Sequence, residues 1–113
     1  MAFAAAGGVA LGAFEGERLV AIGMVVPHIR PAVARLAYLH VSREHRSTGL
    51  GGRLCAELES IARRVGDADM VVTATPSQQT VRFYLRRGYV PMAEPLPELF
   101  AEEPDDVHLA KVL

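Results

Sequence analysis

The chain has 113 residues, half of them apolar and 22% charged, with one Cys and no Trp. That length means one domain, residues 1–113, able to bury a single core. Twelve Lys+Arg against 13 Asp+Glu leave a formal net charge of −1, so composition supplies no general pull towards nucleic acid or an anionic membrane. Val9–Phe14 and Arg18–Val26 flank Glu15-Gly16-Glu17 and read as a β-hairpin. In the second run Leu19, Ala21 and Val25 share one face, and Val20, Ile22, Met24 and Val26 the other. Apolar residues on both faces predict a strand covered on both sides. Pro27, with no ladder N–H, is expected to end it. Val33–Val41 reads as a third strand.

The period then changes. Leu50, Leu54, Leu58, Ile61 and Val65 recur at steps of four, four, three and four, an amphipathic helix of roughly four turns, with Gly66 as its stop. Asp69–Ala74 is a short apolar strand. Thr75 before Pro76, with Gln78 completing a capping box, predicts the start of a second helix that runs to Arg87 and ends at Gly88. Tyr89–Ala93 and Val107–Leu113 read as closing strands around a Pro- and acid-rich connection, Glu94 to Asp106. The order β-β-β-α-β-α-β-β implies an α/β fold with a mixed sheet.

Lone Cys55 can form neither an internal disulfide nor a cysteine zinc cage, which fits a reducing cytoplasm. Met1 to Ala6 lack a positive segment followed by a long apolar run, so no signal peptide is expected. No stretch approaches the ~20 unbroken apolar residues of a membrane span. The expectation is a soluble cytoplasmic protein.

The chemistry concentrates between Val41 and Leu54. A strand runs into Arg46-Ser47-Thr48-Gly49-Leu50-Gly51-Gly52, which opens directly into the long helix. The first amides of a helix have no internal partner, and the helix dipole adds partial positive charge there. Glycines at 49, 51 and 52 remove side chains that would hold an anion away, and Arg43, Arg46 and Arg53 add charge. The spacing is neither that of a P-loop nor Gly-x-Gly-x-x-Gly. A glycine-rich start that merely packs closely on a strand is the bland alternative.

Arg46-x-x-Gly49-x-Gly51, leaving a strand and opening a helix, resembles the acyl-CoA pyrophosphate motif of the GNAT N-acetyltransferase superfamily. Downstream, Ser77-Gln78-Gln79-Thr80-Val81-Arg82-Phe83-Tyr84-Leu85-Arg86-Arg87-Gly88-Tyr89 resembles that superfamily's Asn-x-x-Ala-x-x-Phe-Tyr-x-x-x-Gly-Phe segment. The two occur in the right order on the expected elements, and the similarity runs from about Val9 to the C-terminus. The implied fold is a mixed, mostly antiparallel sheet with two main helices. A full-length member begins with a strand and two helices, so the resemblance implies a chain shortened at its N-terminus.

The resemblance also implies acetyl-CoA as co-substrate and an amine as acceptor. Leu39, His40 and Val41 would pair with the pantetheine arm and hold the acetyl carbonyl through their backbones. Arg46 and the amides of Ser47, Thr48, Gly49, Leu50, Gly51 and Gly52 would hold the pyrophosphate. Ser77 stands where the family usually has an Asn that contacts the cofactor. Tyr84 would protonate the leaving thiolate after direct attack by the amine, through a tetrahedral intermediate and without an acyl-enzyme. No general base is evident: the third strand offers Arg35, Tyr38 and His40, the fourth only Asp69. The other histidines, His28, His45 and His108, are scattered and suggest no metal site. Cys55 reads as packing, and Glu94, Glu98, Glu102, Glu103, Asp105 and Asp106 as a solvated loop, with a cationic acceptor near them as the alternative. The rival function is a catalytically weak or inactive acyl-CoA-binding module needing a partner chain to complete the acceptor pocket. Two long helices are few for about six strands, which predicts a homodimer covering the bare sheet face.

Overall fold

The alternating runs from Val9 to Val41 form an antiparallel meander: β1 (Val9–Glu15), β2 (Arg18–Arg30) and β3 (Val33–Val41). The protein is described by a computed structural model covering residues 8–113, so the expectation for Met1–Ala6 lies outside the described residues. A single 3-10 turn, Arg43–His45, leads to α1 (Leu50–Arg64), then β4 (Asp69–Ala74), α2 (Gln78–Arg86), β5 (Val90–Pro91), α3 (Pro97–Glu102) and β6 (Val107–Val112). The sheet order is β1-β2-β3-β4-β6-β5. Among the described strands only β3 and β4 pair in parallel, as the α1 crossover between them requires.

Val20, Ala21, Met24 and Val25 of β2 are buried, but Leu19 on the same strand is 48% exposed, so the coverage expected on both faces is incomplete. Its inward face packs on α1. A Cβ at Gly23 would stand 2.8 Å from Leu58 Cδ1, so the absent side chain is what lets Leu54 and Leu58 settle on the sheet. Leu58 and Ala62 are fully buried there, and a leucine so placed stabilises the fold by roughly 1.5–3 kcal/mol. Buried Glu59, on the same helix, accepts hydrogen bonds from Tyr89 Oη and Lys111 Nζ, both at 2.9 Å. Those bonds tie α1 to β6 and to the segment after α2.

Three sequence expectations need correction. Pro27 does not end β2, which runs on to Arg30. The pairing with β3 breaks between Val26 and Arg30, so the proline lies where no ladder bond is asked of it. His28 follows with a positive φ of 56°, held by buried Asp67, which accepts from the His28 amide at 3.0 Å and meets its Nδ1 at 2.7 Å. The second helix starts at Gln78, not at Pro76, because Ser77 is the cap: its Oγ accepts from the Thr80 amide at 3.2 Å. Finally, the strand expected over 89–93 is only Val90–Pro91. Tyr89 turns into the core, and the acid-rich connection contains the short α3, opened by Pro97. No helix among the described residues is long and apolar enough to cross a membrane.

Candidate active site

The groove begins where two strands part. β3 and β4 pair only from Val33 opposite Asp69 to Leu36 opposite Val72. On its other edge β3 has a bulge: Met24 pairs with Tyr38 and Val25 with Leu36, leaving Ala37 without an opposite residue. A bulge bends its strand. Beyond it β4 keeps pairing with β6 through Ala74 while β3 diverges. The edge of β3 from Ala37 to Val41 therefore faces open space with unpaired main-chain groups, an edge that an extended ligand arm can join. Leu39, His40 and Val41 line a cavity of about 370 Å³ there, together with Arg46, Gly51 and Tyr84.

The next stretch of the groove is the start of α1. Ser47 and Gly49 have positive φ values of 67° and 84°, and this left-handed geometry turns successive amides the same way. The first internal bond of the helix is Arg53 N–H to Gly49 O; among the described residues none of the amides from Ser47 to Gly52 donates to a main-chain acceptor. No acidic residue or side-chain cap occupies the first turn. Ser47, Thr48 and Gly49 are exposed and Leu50, Gly51 and Gly52 half-buried, so these amides are open to an acceptor from outside the protein. Thr48 Oγ1 donates to His45 O and braces the turn, and half-buried Leu50 begins the helix. An adjoining cavity of about 570 Å³ is lined by Ser47, Gly49, Gly51 and Gly52 and by Arg46, Arg82, Arg86 and Arg87.

Helix α2 forms the opposite wall. Its Phe83 ring packs over Gly51, where a Cβ would stand 3.2 Å from the ring. Arg87 stacks its guanidinium 3.7 Å from the Phe83 ring centroid and donates to Phe83 O at 2.8 Å. A side chain at position 52 would collide with that guanidinium. The glycines read from sequence as anion space thus also serve close packing of α2 on α1.

Tyr84 occupies the junction between this groove and a further cavity. It is buried, edge-on to Phe83 at 5.1 Å and to Tyr89 at 5.4 Å, and its hydroxyl forms no hydrogen bond within the protein among the described residues. Burial pushes its phenol well above the ordinary range, so it stays protonated. The same surroundings push the Cys55 thiol up to about 12, with the neighbouring Glu59 charge adding to burial. Cys55 is therefore packing rather than a reactive thiol.

The further cavity, about 300 Å³, lies between β3, β4 and the end of α3, and Tyr84, Arg35, Thr73, Glu103 and Asp106 line it. In sequence the two acids belong to a solvated loop, with a cationic acceptor near them as the alternative; α3 and its following turn bring both, half-buried, to this wall. Nothing local signals this, because α3 is docked through the distant pairs Arg30–Glu98 at 2.7 Å and Arg35–Glu102 at 3.3 Å. His40 is exposed and stacks on Tyr38 at 6.4 Å. Ser77 stands apart, beside a shallow hollow with Pro76, Val81 and Val107. Among the described residues no three His, Cys, Asp or Glu side chains converge as metal ligands would.

The family model of the acetyltransferase (GNAT) family matches residues 2–89, most of the chain. The chain belongs to that family. None of the curated proteins matches it in sequence. Among solved structures, the PaiA N-acetyltransferase of Thermoplasma acidophilum, in complex with coenzyme A, is 20% identical, with a TM-score of 0.77 over 94% of this chain and 61% of its own. A Bacillus subtilis acetyltransferase in complex with CoA is 18% identical, with a TM-score of 0.77 over 95% of this chain and 78% of its own. A GNAT family acetyltransferase from Elizabethkingia anophelis with acetyl-CoA bound is 14% identical, with a TM-score of 0.81 over 99% of this chain and 80% of its own. These likenesses carry the GNAT fold, six strands in a mostly antiparallel sheet. The chain spans less than two thirds of the Thermoplasma protein's length.

Proposed function

We propose that this GNAT protein transfers an acetyl group from acetyl-CoA to an amine. One observation carries the reading: a continuous groove passes from the unpartnered amides at the start of α1, along the unpaired edge of β3, to the phenol of Tyr84. Its parts fit the co-substrate. Amides from Ser47 to Gly52 with Arg46 suit a diphosphate, and the main chain of Leu39, His40 and Val41 suits the amide-bearing pantetheine arm. Acetyl-CoA supplies a thioester activated towards nucleophiles.

The residues then have distinct tasks. Tyr84, kept protonated by burial, holds a proton beside the position a thiolate leaves from. Main-chain donors of β3 stabilise negative charge on the carbonyl oxygen. Glu103 and Asp106 hold the acceptor's ammonium and take the proton that must leave before the nitrogen lone pair can attack. Ser77 sets the start of α2 and so the height of Phe83 and Tyr84.

A panel of primary amines, assayed by thiol release and by mass of the acetylated product, tests the reading. Turnover supports it; CoA binding without turnover on any amine supports the non-catalytic acyl-CoA module instead. We also propose that the protein is cytoplasmic and that it is a homodimer; exposed Phe14, Leu19 and Tyr38 on the face of the meander turned away from α1 support the dimer. Light scattering at micromolar concentration reads the mass directly; a monomer removes that proposal.

A further inference from the structure

Two arginines dock α3 onto the sheet, and they are satisfied very differently. Arg30 closes on Glu98 through two bonds, at 2.7 and 2.8 Å. Arg35 is far less exposed than Arg30, so its polar groups should be the better matched. They are the worse. Its Nη1 donates to Glu102 at 3.3 Å and its Nη2 to Thr73 Oγ1 at 3.4 Å, both longer than an ordinary hydrogen bond. Its buried Nε has no partner among the described residues. Glu102, the carboxylate it does reach, is more than half exposed and compensates the charge weakly.

The cavity beside Arg35 supplies a reason for this loose fit. Arg35 and Thr73 line the same space of about 300 Å³ as Tyr84, Glu103 and Asp106. The ion pair of Arg35 is with Glu102, and among the described residues neither Glu103 nor Asp106 pairs with any cation. The cavity therefore presents a guanidinium with donors to spare and two carboxylates without counter-charges, not bonded to each other. A plain amine would answer the acids and leave Arg35 as it is. A molecule that carries a carboxylate as well as an ammonium answers both. A carboxylate matches the planar guanidinium fork, and the Thr73 hydroxyl, which accepts from Arg35, still has its proton to donate. The cavity is at the low end of the size range for small-molecule sites, which suits a free amino acid.

We propose that Arg35 selects a free amino acid as the acceptor, holding its carboxylate while Glu103 and Asp106 face its ammonium. The inference rests on the acetyl-transfer reading and adds the class of acceptor. The amine nitrogen bonds to the acetyl carbon as the bond from that carbon to sulfur breaks, giving an N-acetylamino acid, CoA and one proton. The product keeps its carboxylate but loses the ammonium, so one of its two anchors is gone.

The test pairs α- and ω-amino acids with their carboxamides, which keep size and shape and remove the negative charge. The amine of an α-carboxamide is the less basic and more of it is unprotonated at neutral pH, so a preference for the acid does not come from free amine. For its best amino acid, wild type should show a kcat/KM at least ~10-fold above that for the carboxamide, as expected for hydrogen bonds between charged groups. In Arg35→Gln that ratio should collapse towards one. The ratio within one variant is insensitive to a general loss of activity, which moves both substrates together. Glu102→Gln removes the tie between Arg35 and α3 but leaves the guanidinium, and it should keep the preference. Wild type that turns over amines with no preference for the acid overturns the proposal and leaves acetyl transfer standing. A ratio that survives Arg35→Gln overturns it too, as does one that falls as far in Glu102→Gln, since Arg35 would then act only by holding α3. No transfer to any amine overturns the acetyl-transfer reading itself.

Discussion

At the α1 end of the groove the wall is main chain and guanidinium; at the Tyr84 end it is side chain and carboxylate. The first end comes from one continuous stretch, Arg46 to Gly52, facing one side of α2. The second collects Arg35 from β3, Thr73 from β4, Tyr84 from α2, and Glu103 and Asp106 from beyond α3. The contrast separates two jobs. A diphosphate is the same in every carrier, and fixed amides of one helix start can bind it. An acceptor is recognised by side chains whose positions depend on how distant segments dock. The charges follow the same division, cationic where phosphates are expected and acidic where an ammonium is expected.

The strongest way to break this division is at the junction. Tyr84→Phe keeps the ring against Phe83 and Tyr89 and removes only the hydroxyl. The acetyl-transfer rate should fall ~10²–10⁴-fold, the usual contribution of general acid catalysis, with CoA affinity unchanged. Because burial raises the phenol above its ordinary 10.0, the wild-type rate should show no loss from phenol ionisation near that pH. An unchanged rate in the variant leaves Tyr84 as packing.

The next test addresses the cradle alone. Gly49 has φ of 84°, and space is open around its missing Cβ. Asn and Asp both tolerate that conformation, and they differ in charge but hardly in shape. Gly49→Asn should keep CoA affinity within a few fold. Gly49→Asp, though a good helix cap in the free protein, places a carboxylate beside the diphosphate. CoA affinity should drop ~10–100-fold, from charge repulsion at partly solvated sites. Equal affinities in the two variants would remove the diphosphate from this turn.

The same contrast explains what the sequence made legible. The cradle was readable because its signals are local: glycines, a helix start and a strand end within Val41 to Leu54. The strands β3 and β4 and helix α1 were readable because period and caps agree within each segment. The start of α2 was misplaced by two residues because Thr75-Pro76 and Ser77 both carry capping chemistry; the Ser77–Thr80 bond decides between them. The wall that the proposal assigns to the acceptor was legible only as an alternative. Whether Glu103 and Asp106 are solvated or face a cavity depends on where α3 docks, and its pairs span 67 and 68 residues of sequence. The bulge at Ala37, which opens the groove, leaves no mark in residue type either.

At the acidic end, Glu103→Gln and Asp106→Asn each remove one charge and keep the shape. For a cationic amine, KM should rise by ~10-fold per substitution, the loss of one hydrogen bond between charged groups. CoA affinity should not move. If the constant for CoA shifts as much as that for the amine, the two ends are not separate sites and the division fails.

The smallest effect concerns Ser77, whose position in the family motif implies a cofactor contact, whereas its Oγ bonds Thr80, accepting from the amide at 3.2 Å and donating to Oγ1 at 2.9 Å. If it acts as a cap, Ser77→Ala should cost ~1 kcal/mol of stability, lowering the melting temperature by about 4–8 °C in a domain near this size. Ser77→Asp should restore it, since aspartate caps equally well and its charge suits the helix dipole. A cofactor contact predicts a different pair of results. Alanine would then weaken CoA binding beyond what the lost stability explains. Aspartate would weaken it further by repelling the phosphates. Melting temperature and CoA affinity measured on both variants therefore separate the roles: recovery of both with Asp assigns Ser77 to the helix, and recovery of stability alone assigns it to the cofactor.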